Sequence, residues 1–208
     1  TTHTNSAGNV IIDGNIDIQG IRVMLYGIYV SLEKKITISD SVAEITGTQA
    51  DDTYSITTTD SQLKVDGGKG DDTIDLSANS GHNKAAINGG SGNDSLSLNH
   101  NGGTLEATII GGDGADTIAL KAGAGANSEG SSHTISGGSG DDTVTVDTSF
   151  ANASAQLNLQ GGDGTDTLNL TGALSENDTD AITGTFSQLV LKNNTGKTIE
   201  LIPNGFES

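Results

Sequence analysis

The sequence predicts an all-β chain folded as a parallel β-roll, or β-solenoid, with capping strands at both ends. Three observations predict it. A glycine-aspartate motif recurs through the middle of the chain. Aliphatic and polar residues alternate on both sides of every copy, which is the signature of a strand with one buried face. The composition lacks the side chains that fill a globular core: hydrophobic residues are 32% of the 208 and aromatics only 3%.

The motif is Gly-Gly-x-Gly-x-Asp. Five copies start at Gly67, Gly89, Gly111, Gly137 and Gly161, at spacings of 22, 22, 26 and 24 residues. A worn sixth copy, GTQADD, starts at Gly47 and keeps only the first glycine and the last aspartate, Asp52. Each Asp is followed by Thr or Ser in the full copies and then by an alternating pair: Ile74/Leu76, Leu96/Leu98, Ile118/Leu120, Val144/Val146 and Leu168/Leu170, with Tyr54/Ile56 after the worn copy. Two residues ahead of each loop stands Ile45, Val65, Ile87, Ile109, Ile135 or Leu159. One unit thus reads strand, glycine loop, strand and a polar connection of variable length, such as 122–132. A unit this small cannot bury its apolar face alone, so units must stack and their aliphatics form ladders.

The ends lack the motif. Residues 1–46 alternate well (Ile16, Ile18; Val23, Leu25; Ile28, Val30, Leu32; Ile36, Ile38) and read as opening strands that cap the stack. Residues 47–171 form the roll proper, and 172–208 read as closing strands. There Phe186, Leu189 and Leu191 precede a turn at 193–196 and then Ile199 and Leu201, as in a hairpin. Capping is needed because an open stack presents unpaired strand edges.

Charge narrows the partners. Twenty-seven acids against nine bases give a net of −18, which argues against nucleic acid and against insertion into or docking on an anionic membrane. The absence of Cys excludes disulfides and thiolate metal sites. No apolar run is long enough to span a bilayer. The chain does not begin with Met and shows no signal-peptide pattern at its start, so it reads as a fragment or a trimmed chain from which an N-terminal address could have been lost.

The loops are suited to calcium. Three glycines in six residues let the backbone curl and expose carbonyls, and the terminal Asp adds a carboxylate. These are hard oxygen donors. Neighbouring strands lie ~4.8 Å apart, so an ion with Ca–O distances of ~2.3–2.6 Å reaches oxygens on two stacked loops. Without it, two carboxylates ~5 Å apart repel by roughly 3 kcal/mol at an effective dielectric of ~20. The column Asp72, Asp94, Asp116, Asp142 and Asp166 therefore calls for divalent cations. Four gaps separate the five full loops, and Asp52 adds a weaker fifth, giving about four to five Ca²⁺ and folding coupled to the ion.

These residues resemble the RTX, or haemolysin-type, calcium-binding repeat GGxGxDxUx over roughly 47–170. The resemblance implies a β-roll with the sixth-position Asp and loop carbonyls as ligands. Here the carbonyl donors would be Gly68, Gly70, Gly90, Gly92, Gly112, Gly114, Gly138, Gly140, Gly162 and Gly164. It also implies type I secretion, folding outside the cell, and no chemistry of the module's own. In the common tandem form a motif follows every nine residues and both edges bind calcium. This chain has one motif per turn, so calcium is expected along one edge, with the opposite edge left for self-association or a cell-surface partner. Such single-motif turns look similar to those of surface-layer and adhesin proteins. An accessory secretion and folding domain of a toxin or hydrolase is the alternative. A carbohydrate-binding solenoid is a more distant one, disfavoured by the scarcity of aromatics.

The remaining chemistry-bearing residues point to structure. The third and fifth motif positions vary too much to be required ligands. Thr73, Ser95, Thr117, Thr143 and Thr167 read as an outward hydroxyl ladder. His3, His82, His100 and His133 lack zinc-site spacing and read as surface or strand residues. No Ser sits in a nucleophile elbow. Asp71/Asp72 imitates a glycosidase pair, but its place in the repeat makes it part of a loop.

Overall fold

A computed structural model describes residues 2–4, 10–12, 16–19, 22–26, 34–126, 130–147, 156–171, 182–185 and 188–192. Ile28, Val30, Leu32, Phe186, the 193–196 turn, Ile199 and Leu201 lie outside the described residues. Strands β1 (Thr2–Thr4) and β2 (Val10–Ile12) form a small antiparallel pair. The first turns of a roll follow as β3 (Ile16–Gln19), β4 (Arg22–Tyr26), β5 (Lys34–Ser39), β6 (Val42–Thr46), β7 (Thr53–Thr59) and β8 (Gln62–Lys69). The middle comprises β9 (Thr73–Ala78), β10 (His82–Ser91), β11 (Ser95–Asp113), β12 (Thr117–Ala126), β13 (Ser132–Ser139) and β14 (Thr143–Asp147). Then come β15 (Gln156–Asp163), β16 (Thr167–Thr171), β17 (Ile182–Thr185) and β18 (Gln188–Lys192).

From β3 onward every described pairing is parallel, so the expected β-solenoid is the observed fold. Two ladders make its two faces. One, built of the strands that follow the loops, runs β3, β5, β7, β9, β11, β12, β14, β16, β18. The other, built of the strands that precede them, runs β4, β6, β8, β10, β11, β13, β15, β17. Strand β11 belongs to both because it continues around the edge opposite the glycine loops. The ladders extend past the motif-bearing turns in both directions. In particular, Leu189 and Leu191 pair in parallel with Leu168 and Leu170, adding to the stack.

Alternation sets the core. Ile45, Val65, Ile87, Ile109, Ile135 and Leu159 stack in one inward row. Tyr54, Ile74, Leu96, Ile118, Val144 and Leu168 stack in another. Each fully buried aliphatic contributes about 1.5–3 kcal/mol, and a core only a few rows thick needs no aromatics to fill it. Thr73, Ser95 and Thr117 of the hydroxyl row are exposed and Thr143 and Thr167 half-buried, all at outward positions.

The edge opposite the glycine loops is more regular than its sequence suggests. Each described turn there places one residue in the left-handed region: Asp40 (φ 49°), Asp60 (φ 46°), Gly81 (φ 85°), Gly103 (φ 72°) and Gly130 (φ 78°). Beside them a buried polar row joins consecutive turns. Ser41 N–H donates to Ser61 Oγ (3.2 Å), Ser61 N–H to Asn83 Oδ1 (3.3 Å) and Leu105 N–H to Ser131 Oγ (3.1 Å). These side chains satisfy backbone donors at the corner, where the ladder hydrogen bonds break off.

Two histidines lie in the core near this edge. His100 and His133 are buried, edge to face with ring centroids 6.0 Å apart, and His100 Nε2 lies 2.9 Å from the Gly103 carbonyl. They occupy strands, as one of the two sequence readings had it, but not the surface. The signal was available: His100 continues the inward parity of Leu96 and Leu98, and His133 that of Ile135. Burial, with the charge of His100 adding, lowers the pKa of His133 to about 4. A folded pKa below the unfolded ~6.5 means this contribution is present above ~6.5 and lost as pH falls toward 4. Replacing His133 with Leu, the residue at the matching place in the next turn (Leu157), is expected to blunt that acid destabilisation. The test is the wild-type-minus-variant difference in melting temperature across that range; a flat difference would refute the assignment.

Candidate cation site along one edge

The glycine loops form one edge of the roll, where each turn passes from one face to the other. The second- and fourth-position glycines all have φ between 105° and 136°. Gly68 and Gly70 show why a side chain is excluded there: both have φ 105°, a region that L-residues rarely adopt. The carbonyls of Gly68, Gly90, Gly112 and Gly138 point up the stack at the matching glycines Gly90, Gly112, Gly138 and Gly162. Those of Gly70, Gly92, Gly114 and Gly140 do the same toward Gly92, Gly114, Gly140 and Gly164.

The sixth-position aspartates turn inward. Asp52, Asp72, Asp94, Asp116, Asp142 and Asp166 are each only 1–2% exposed and form a column along the inside of this edge. One oxygen of each carboxylate from Asp72 onward knits the turns. The N–H of Asp52 donates to Asp72 Oδ1 (2.7 Å), Asp72 to Asp94 (2.7 Å), Asp94 to Asp116 (2.7 Å), Asp116 to Asp142 (2.8 Å) and Asp142 to Asp166 (3.0 Å). The other oxygen is different. Oδ2 of Asp72, Asp94, Asp116 and Asp142 is buried without a hydrogen-bond partner.

What these oxygens face can be read from the first glycine of each motif. A Cβ on Gly67 would strike both Asp72 Oδ2 and the carbonyl oxygen of Gly89 in the next turn. Gly89 meets Asp94 Oδ2 and Gly111 O, Gly111 meets Asp116 Oδ2 and Gly137 O, and Gly137 meets Asp142 Oδ2 and Gly161 O. Two acceptors therefore converge at each of these four places. At Gly161 the nearest described atoms all belong to Asp166. The first-position carbonyls are donors that the sequence reading missed. Their signal was present in a glycine kept in all six copies, the worn one included.

Electrostatics follow from this placement. Burial pushes the Asp72 carboxyl up to about 7, with the charges of Asp94, Asp52 and Asp51 adding. Burial likewise raises Asp116 to about 6, and it raises Asp94, Asp142 and Asp52. A buried acceptor left without a partner costs about 1–3 kcal/mol, and more when charged. The residues present thus fit a hard cation: carboxylate and carbonyl oxygens, two turns contributing, and buried carboxylates that no salt bridge among the described residues offsets. Among the described residues no group of three or more acidic, His or Cys side chains converges on a point, so the remaining donors would be backbone carbonyls.

The fifth motif position carries a second ladder outside the first. Asp71 N–H donates to Asp51 Oδ1 (2.9 Å), Asn93 N–H to Asp71 Oδ1 (2.7 Å), Ala115 N–H to Asn93 Oδ1 (2.8 Å) and Thr165 N–H to Asp141 Oδ1 (2.8 Å). These side chains take N–H groups of the next turn, and the carbonyls of Gly70, Gly92 and Gly140 are left without a backbone donor. Position five thus has a structural role that its variability hides.

Fold and site together define a parallel β-solenoid with an inward column of carboxylates on one edge. Comparison with protein-family models, curated proteins and solved structures finds no match.

Proposed function

We propose that the chain is a calcium-binding structural module of a secreted RTX-type protein, in which Ca²⁺ stiffens one edge of the roll. The observation that carries this reading is the set of four buried Asp Oδ2 atoms, each without a hydrogen-bond donor and each opposed by a carbonyl of the next turn. Asp72, Asp94, Asp116 and Asp142 would hold the ions, with the carbonyls of Gly89, Gly111, Gly137 and Gly161 across the gap. The open carbonyls of Gly70, Gly92 and Gly140 are further donors of the right kind. A bound Ca²⁺ supplies positive charge that cancels the repulsion along the column and joins one turn to the next.

The module needs no chemistry of its own under this reading. The net charge of −18 and the lack of Cys suit a chain that meets calcium outside the cell, secreted or at the cell surface. A role in a surface layer or adhesin rests on the resemblance of its single-motif turns.

Calorimetric titration of the chelator-treated chain at pH 7.5 tests the reading, with β-structure followed by circular dichroism. About four Ca²⁺ per chain are expected, together with a rise in melting temperature of at least 10 °C. Tb³⁺ should also give sensitised luminescence through Tyr54, which is buried close enough to Asp52 and Asp72 to feel their charges. The Tyr54→Phe variant should lose most of that signal. Identical melting in calcium and in chelator would overturn the proposal.

A further inference from the structure

The worn first copy of the motif is not simply a damaged site. Asp52 occupies the same place in the column as the other aspartates. It is 1% exposed, and its N–H donates to Asp72 Oδ1 like its counterparts one turn on. A Cβ on Gly47 would meet the same two oxygens, Asp52 Oδ2 and the Gly67 carbonyl. Yet Asp52 Oδ2 accepts two hydrogen bonds, from the N–H of Thr48 (2.6 Å) and from its hydroxyl (3.0 Å). Thr48 stands where the full motifs have a glycine at positive φ. Among the described non-glycine residues only Asp40 and Asp60 take positive φ, so the Thr48 peptide is oriented differently and its N–H turns inward. Its Oγ1 is held in turn by the N–H of Ala50 (3.1 Å).

We infer that Thr48 is a built-in substitute for the cation, closing the first turn of the column so that this end of the roll stays folded when calcium is absent. The inference rests on the calcium reading and deepens it. It divides the stack: the turns around Asp72, Asp94, Asp116 and Asp142 depend on ions, whereas the turn around Asp52 carries its own donors. A solenoid permits such a division, since each turn contacts only its neighbours and stability is close to a sum of local terms. The metal-free N-terminal turns would then offer the next strands an ordered edge on which to pair as calcium arrives. The column would load from Asp72 onward.

Hydrogen exchange of the full chain, in chelator and in calcium, tests this together with calorimetric stoichiometry. In chelator, amides of β5 to β7 are expected to remain protected while those of β10 to β16 exchange, and calcium should protect both. Thr48→Gly combined with Ala50→Gly restores the full motif. It should raise the stoichiometry by one and make protection of β5 to β7 calcium-dependent. Thr48→Val keeps the N–H and the shape and removes only the hydroxyl. It should lower protection of β5 to β7 in chelator about five-fold. Measured calcium binding with uniform protection along the chain in chelator would overturn this inference and leave the calcium reading standing. So would a double variant that folds with unchanged stoichiometry, or, should it not fold, a Thr48→Val chain with unaltered protection. Absence of calcium binding by the wild type would remove the calcium reading itself, and this inference with it.

Discussion

Asp94→Asn is expected to stabilise the protein in chelator and to destabilise it in calcium. The amide oxygen keeps the hydrogen bond from Asp72 N–H, now 2.7 Å from Asp94 Oδ1. The amide nitrogen replaces Oδ2, the atom that has no donor and faces the Gly111 carbonyl. In chelator the substitution removes a buried charge and turns two opposed acceptors into a donor–acceptor pair. A gain of about 1–3 kcal/mol follows, which at this chain length is about 2–4 °C in melting temperature per kcal/mol. In calcium the same change deletes one of the proposed ligands, so the stoichiometry should fall by one and the melting temperature drop below that of the wild type. Thermal melts of both proteins under both conditions should therefore cross over. A variant that is less stable in both conditions would mean that the column does not strain the cation-free roll.

The pH dependence has the same origin. The raised folded pKa values of Asp72 and Asp116, about 7 and 6, favour the protonated folded state. Their contribution to the cation-free protein is thus complete below the unfolded value near 3.9 and lost as pH rises through 6 and 7. Above pH 6.5 this trend is not opposed by His133, whose effect lies lower.

The second large effect is steric. Gly89→Ala places a methyl group where Asp94 Oδ2 and the Gly111 carbonyl already stand, in two different turns. Neither neighbour can retreat easily: Asp94 is tied through Oδ1 to the turn below, and the carbonyl is part of the next loop. The backbone of Gly89 is not at positive φ, so the cost comes from close approach alone. A loss of about 3 kcal/mol or more is expected, at the upper end of overpacking effects, and calcium binding should fall at the same gap. Chemical denaturation in calcium and in chelator checks both parts. A loss below about 1 kcal/mol in each would show that the column has more room than the geometry indicates.

Much of this was legible in the amino acids alone. Alternation with period two determined which residues face inward, and it would have placed His100 and His133 there had it been applied to them. The return of Gly-Gly-x-Gly-x-Asp at turn-length spacing determined that strands stack in parallel and that the aspartates form a column. Both are properties of local geometry repeated along the chain. Only the tertiary structure decided which oxygens lack a donor, that the first glycine's carbonyl opposes the carboxylate, that fifth-position side chains serve the next turn, and that Thr48 donates to Asp52 Oδ2. The reason is physical. Each of these facts depends on the direction of a peptide group, and for all but Thr48 the partner lies some twenty residues away. No spacing within the motif encodes that direction until the turns are laid on one another.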